Sequence, residues 1–260
     1  MALHPGAVWG LLKELRVSAG QEGPLVVAGP PALADALRRE LGRDAEPGAV
    51  RGGSPEGAQG FVLVVAGPVG PDEEELLKRA HREGVPTVAV LAGPGLDLRV
   101  PYVLATDVVE VPAGAGFPVE QIAAALAARL AERGASLAAR VPALRDAVCE
   151  QLIDTFSRRA ALVGAAVFVP GADFPVITLA QLRMVLRLAE AHGVEVGRER
   201  LPEILGVIGS GYAFRGLARN ALRYVPVAGF AVRAGVAYTG TRAMGEAAVR
   251  YFAAQAARAA

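Results

Sequence analysis

The run Phe61–Ala66 constrains this chain most. It is apolar without interruption. A strand with one wet face alternates apolar and polar residues, whereas a continuous run belongs inside a sheet covered on both faces. Leu25–Ala28 is a second short apolar strand, and Val85–Leu91 reads as a third. Parallel strands need crossover connections, and the intervening sequence supplies them. Gly29-Pro30-Pro31 makes a turn, with Pro31 suited to a first helical position. Leu33, Leu37 and Leu41 then repeat at helical spacing. Strand–helix alternation with right-handed crossovers predicts a small open parallel sheet with helices on both faces.

The rest of this half gives weaker signals. Val8, Leu11, Leu12 and Leu15 predict a short helix within residues 1–20. Residues 42–59 read as a Gly/Pro/Ser-rich loop with at most one short strand. Asp72 is expected as a helix N-cap, with Glu74–Lys78 and Glu75–Arg79 as i,i+4 pairs. The acids Asp72 to Glu75 suit a helix N-terminus better than a metal cluster. Val103-Leu104 and Val108–Val111 supply further strand material. Val119, Ile122, Leu126 and Leu130 mark a helix over Pro118–Arg133, closed by Gly134, with Ala135–Arg140 as a linker.

The second half reads as Gly/Ala-rich helix. Pro142 starts a helix with Leu144, Val148, Leu152, Phe156 and Val163 on one face. Pro170-Gly171 and Phe174-Pro175 fix a rigid corner, because each proline locks φ and restricts its predecessor. Thr178-Leu-Ala-Gln181 then reads as a capping box opening the next helix. Leu179, Leu182, Val185, Leu186 and Ala189 form its apolar stripe; Gln181, Arg183, Arg187 and Glu190 lie off it. Gly193 suits the left-handed position that ends the helix. Asp173 sits in the apolar corner, as a turn acceptor or a partner contact. The arginines Arg215, Arg219, Arg223, Arg233, Arg242 and Arg250 read as a solvated basic face.

Several stretches carry a resemblance. They are Val169-Pro-Gly-Ala-Asp-Phe-Pro175, Ile177-Thr-Leu-Ala-Gln-Leu-Arg-Met184, Ala191-His-Gly193, Arg223-Tyr-Val-Pro-Val-Ala-Gly229 and Tyr238-Thr-Gly-Thr-Arg-Ala-Met-Gly-Glu246, followed by Tyr251-Phe252. Together they resemble the YcjF-like family of unknown function, a helical domain often appended to bacterial Era-like GTPases. The resemblance implies a helical fold without an established activity; some relatives carry membrane segments.

The first half in turn resembles a truncated P-loop GTPase-like domain with its nucleotide chemistry erased. A phosphate loop needs G-x-x-x-x-G-K-[ST] after the first strand, so that backbone N–H groups and Lys meet phosphate and a hydroxyl meets Mg²⁺. Aligned on Gly29, the second glycine is Ala34, the lysine is Asp35 and the hydroxyl is Ala36. Pro30 and Pro31 remove two further donors. No D-x-x-G follows a strand. Ala92-Gly93-Pro94-Gly95 stands where N-K-x-D belongs, and Asp97 lacks its Asn and Lys companions.

The one cysteine, Cys149, excludes an intrachain disulfide and a cysteine-based zinc site. His4, His81 and His192 are scattered and suggest neither a triad nor a metal pair. Net charge is +1, so nothing in bulk electrostatics favours nucleic acid. Met1–Ala28 shows no secretory pattern. A spanning helix takes about 20 apolar residues, and the uncharged run Ala160–Ala172 stops at Asp173.

The expected organisation is a degenerate GTPase-like α/β domain over residues 1–135 and a YcjF-like helical domain over residues 136–260. The expected role is non-catalytic: a cytoplasmic pseudo-GTPase, without a cofactor, acting through protein–protein or membrane-surface contacts. Its partners would be an active GTPase, a second copy, or the inner face of the cell membrane; nucleic acid is not one. Two alternatives stand beside it. One is a small-ligand binder or enzyme using the strand ends, where Gly29, Gly67, Gly93 and Gly114 gather. The other is an integral membrane protein using residues 160–182 and 204–240. Asp173, Thr178, Gln181 and Arg183 are the candidate partner or corner residues.

Overall fold

The computed structural model describes residues 23–93, 99–112, 114–166, 174–194 and 229–259. They divide into two compact units that part between Gln151 and Leu152. The division drawn from sequence, between residues 135 and 136, falls inside a helix, Gly134–Arg140.

In the first unit the strands are β1 (Leu25–Ala28), β2 (Val50–Arg51), β3 (Gly60–Val65), β4 (Thr87–Leu91) and β5 (Val108–Glu110). They form one all-parallel sheet in the order β2-β1-β3-β4-β5. Each of β1, β3 and β4 is buried along its whole length, as continuous apolar runs require. Alternate residues serve the two faces. Val26, Ala28, Phe61, Leu63, Val65, Ala89 and Leu91 pack with Leu77 and Ala80 of α2 (Pro71–Arg82). The other face carries α1 (Pro31–Leu41) and α3 (Val119–Leu130). There Gly60 has no side chain, and a Cβ at that position would stand 3.3 Å from Leu25 Cδ1 and 3.7 Å from Leu126 Cδ2. The parallel sheet with flanking helices followed by an all-helical region is the architecture expected from the sequence.

Local boundaries differ in several places. Gly70, not Asp72, is the N-cap of α2, because Pro71 fits the first helical position, and Glu73 accepts from the Gly70 N–H at 3.0 Å. The Glu75–Arg79 pair forms at 3.8 Å. Val103-Leu104 is not strand; Leu104 is 60% exposed. The helix expected over Pro118–Arg133 ends at Leu130. A single 3₁₀ turn, Ala131–Arg133, leads into α4 (Gly134–Arg140), which replaces the expected linker. Gly134 opens α4 rather than closing α3. A Cβ there would stand 3.2 Å from both Leu130 Cβ and Val148 Cγ2. After a further 3₁₀ turn, Pro142–Leu144, α5 runs over Arg145–Ala166.

In the second unit the described elements are the rest of α5, α6 (Phe174–Ala191) and α7 (Gly229–Ala259). The helix read as starting at Thr178 starts at Phe174. Pro175 lies in its first turn, where a missing N–H costs nothing and the fixed φ is already helical. Thr178 is therefore inside α6 and cannot be its N-cap. The helix ends as expected: Gly193 has φ +69°, and the Val194 N–H returns to the Ala189 carbonyl at 3.0 Å. The helix expected in residues 1–20, the corner at 167–173 and the glycines and arginines of 195–228 lie outside the described residues.

Candidate functional site

Doubly wound sheets bind ligands beyond the carboxyl ends of their strands, at the point where strand order reverses. In this sheet that point lies between β1 and β3. Gly29 follows β1, and Gly67 stands just past β3. Gly93 stands just past β4, and Gly114 lies beyond β5. All four candidate glycines therefore stand at the same end of the sheet.

Their surroundings separate them. Gly29 has φ +127°, and a Cβ there would run into the Val64 carbonyl of β3. Its backbone therefore lies against β3 at the reversal point itself. Gly67 and Gly114 face open space, and Gly114 has φ +72°. Gly29 is thus demanded by backbone packing, a reason independent of any ligand.

The amides after Gly29 are largely spent or missing. Pro30 is the N-cap residue of α1, and Pro31 is its first helical residue; neither has an N–H. The Leu33 and Ala34 N–H groups both donate to the Pro30 carbonyl, at 3.0 and 2.9 Å. Ala34, which aligns with the second glycine of the phosphate-loop pattern, is buried. Asp35, which aligns with that pattern's lysine, is ion-paired with Arg38 one turn further on. Arg38 also reaches Gly52 after β2, where a Cβ would collide with its guanidinium. Asp35 and Arg38 thus compensate each other's charge at the end of β1. Arg38 was not singled out in the sequence, although an i,i+3 pair of opposite charge was there to read.

The second cluster of candidates lies in the helical unit. Asp173 lies outside the described residues. Thr178 and Arg183 are half-buried on α6. Gln181 was read as a polar-face residue reaching back to Thr178. It is instead 1% exposed, and its Nε2 donates to Thr241 Oγ1 of α7 at 2.8 Å. Arg187 is likewise buried at 3% rather than solvated, and pairs with Glu190 at 2.8 Å. The polar side of α6 is covered because α6 is buried nearly all round between Gln181 and His192. Burial raises the Glu190 carboxyl above its ordinary value, against the opposing pull of Arg187. His192 is bonded through Nδ1 to the Leu188 carbonyl at 2.7 Å, so that nitrogen carries the proton.

Two other groups invite a chemical reading. Cys149 is buried on α5, and burial with Asp146 nearby pushes its thiol up to about 12, so it is no thiolate nucleophile. Asp107 is buried before β5 and pairs with Arg129 of α3 at 3.3 Å. Among the described residues no cluster of three His, Cys, Asp or Glu side chains could hold a metal ion. Among the same residues no helix is long and apolar enough to cross a membrane.

Residues 128–260 match a family model described as Domain of unknown function (DUF697). No curated protein and no solved structure matches the chain.

Proposed function

The chain belongs to the DUF697 family, and we propose that it is a non-catalytic member whose α/β unit is a GTPase-like fold without nucleotide chemistry. It acts through contact with other proteins or with a membrane surface. On this reading the helical region is of the YcjF-like kind, and the protein works in the cytoplasm at the inner face of the cell membrane. Its partner is an active GTPase or a second copy, and no cofactor takes part.

The observation that carries the proposal is the turn from Gly29 to Ala36. A phosphate cradle needs free backbone N–H groups, a cation and room for the backbone to approach. Here two N–H groups are absent, two are committed to the Pro30 carbonyl, and the lysine position holds an acid already paired with Arg38. An anionic ligand would have to displace that pair and meet Asp35 directly. The family match carries no activity of its own.

Thermal melting of the purified protein with GTP, GDP or ATP and magnesium tests the proposal. A ligand that prefers the folded state raises the midpoint. The expected result is the same midpoint in every case; a guanine-specific rise overturns the reading.

A further inference from the structure

The family match begins at residue 128, but the compact units part between Gln151 and Leu152. Residues 131–148 thus belong to the family segment by sequence and to the α/β unit by packing. Their interactions show what they are shaped for. Ala135, Leu137, Ala138, Val141 and Leu144 are 0% exposed. At the amino ends of β1 and β3, Arg140 Nη2 donates to the Gly23 carbonyl at 2.6 Å and to Gln59 Oε1 at 3.0 Å. The other end of the same amide closes the clasp: Gln59 Nε2 donates to the Arg133 carbonyl at 2.6 Å and to Ser136 Oγ at 2.7 Å. The Glu46 N–H, before β2, donates to the Arg140 carbonyl at 2.8 Å. Gln59 uses both ends of its side chain on this one segment. The charged hydrogen bonds from Arg140 fall on a backbone carbonyl and an amide oxygen. They therefore read the shape of the strand ends as well as side-chain identity.

We infer that residues 131–148 are an interaction element of the family segment whose partner is the amino ends of the interior strands of a parallel α/β sheet, and that residues 128–260 are not a self-contained folding unit. Without the sheet, Arg140 loses the Gly23 carbonyl and Gln59, and the Arg133 carbonyl and Ser136 lose the Gln59 amide. The element opens and closes with the sheet, not with α6 and α7.

Hydrogen exchange of the full chain, followed residue by residue under rising denaturant, tests this, because cooperative units lose protection together. The expected result is that amides of 131–148 lose protection at the same denaturant concentration as β1 and β3. The Arg140→Ala substitution is expected to speed exchange in both by about tenfold or more while leaving α6 and α7 unchanged. If Arg140→Ala does not fold, the wild-type profile and the milder Gln59→Ala still decide. Amides of 131–148 that follow α6 and α7 overturn the inference, whether or not the sheet follows too. So does an Arg140→Ala effect that appears in α6 and α7 and spares β1 and β3.

Discussion

The two compact units treat polar side chains differently. In the α/β unit the buried polar residues among those described are Thr87 and Asp107, and both have partners beside a strand end. In the helical unit they are Ser157, Gln181, Arg187, His192 and Thr241. A sheet satisfies its backbone internally and can fill both faces with Val, Leu and Phe. Its specificity then comes from register and from where glycines permit close approach. Helix pairs have no such ladder, so side chains that bond across the pair, as Gln181 does to Thr241, select one arrangement among many apolar ones. One unit is held by shape and continuous apolar burial, the other by shape and a few internal polar contacts.

The strongest way to break the first half of this comparison is Gly29→Val. It adds a β-branched side chain at φ +127° against the Val64 carbonyl. A loss of about 3 kcal/mol or more is expected. In residue-level exchange it should appear in the sheet and not in α6 and α7. An equal loss in both units would mean that they do not respond separately.

The polar contacts of the helical unit are tested by a double-mutant cycle. Thr241→Val removes the hydroxyl that accepts from the buried Gln181 amide and should cost roughly 1–3 kcal/mol in denaturant melts. Adding Gln181→Leu should recover part of that loss, because both partners are then apolar. Additive losses would show that the pair does not act as a unit.

Smaller effects sharpen the picture at the joints. Ala131, the first residue of the 3₁₀ turn that joins α3 to α4, has φ +50°. Ala131→Gly should therefore raise stability by about 1 kcal/mol, measured as a higher denaturant midpoint at unchanged slope. A lower midpoint would contradict the strained turn.

The pH dependence should differ by unit as well. Burial raises the folded Glu190 carboxyl above its ordinary 4.5. Its contribution is therefore complete below that value and is lost as pH rises through the folded one. Glu190→Gln should flatten this part of the stability profile above pH 4.5, with the change confined to exchange in α6 and α7. Cys149 supplies the matching case in the α/β unit. Its folded thiol at about 12 stands above the ordinary 9.0, so stability should fall as pH rises from 9.0 toward 12. In the native protein at neutral pH an aromatic disulfide reagent should react with Cys149 only as fast as the protein opens.

The sheet was legible because its signal is local. Phe61–Ala66 and Leu25–Ala28 are apolar on both faces, and no long-range information is needed to see that they lie inside. Boundaries set by proline were less legible. Pro175 was read as a corner, yet proline is equally at home in a first helical turn. The covered side of α6 could not be read at all from periodicity. Gln181 and Arg187 look solvated on a helical wheel, and Gln181 is buried with a partner, Thr241 of α7, sixty residues away. Arg140 and Gln59 meet across 81 residues with no motif to announce them. At the candidate site the departure from the G-x-x-x-x-G-K-[ST] pattern was visible in Ala34, Asp35 and Ala36. The Asp35–Arg38 pair and the contact of Gly29 with β3 appeared only in three dimensions.

Titration calorimetry of the full chain with a non-hydrolysable GTP analogue and magnesium tests the central claim most directly. With two N–H groups absent, two committed and Asp35 paired with Arg38, no saturable heat should appear at micromolar to millimolar ligand. A one-to-one isotherm that vanishes with an adenine analogue would contradict the account and place phosphate binding elsewhere in the chain.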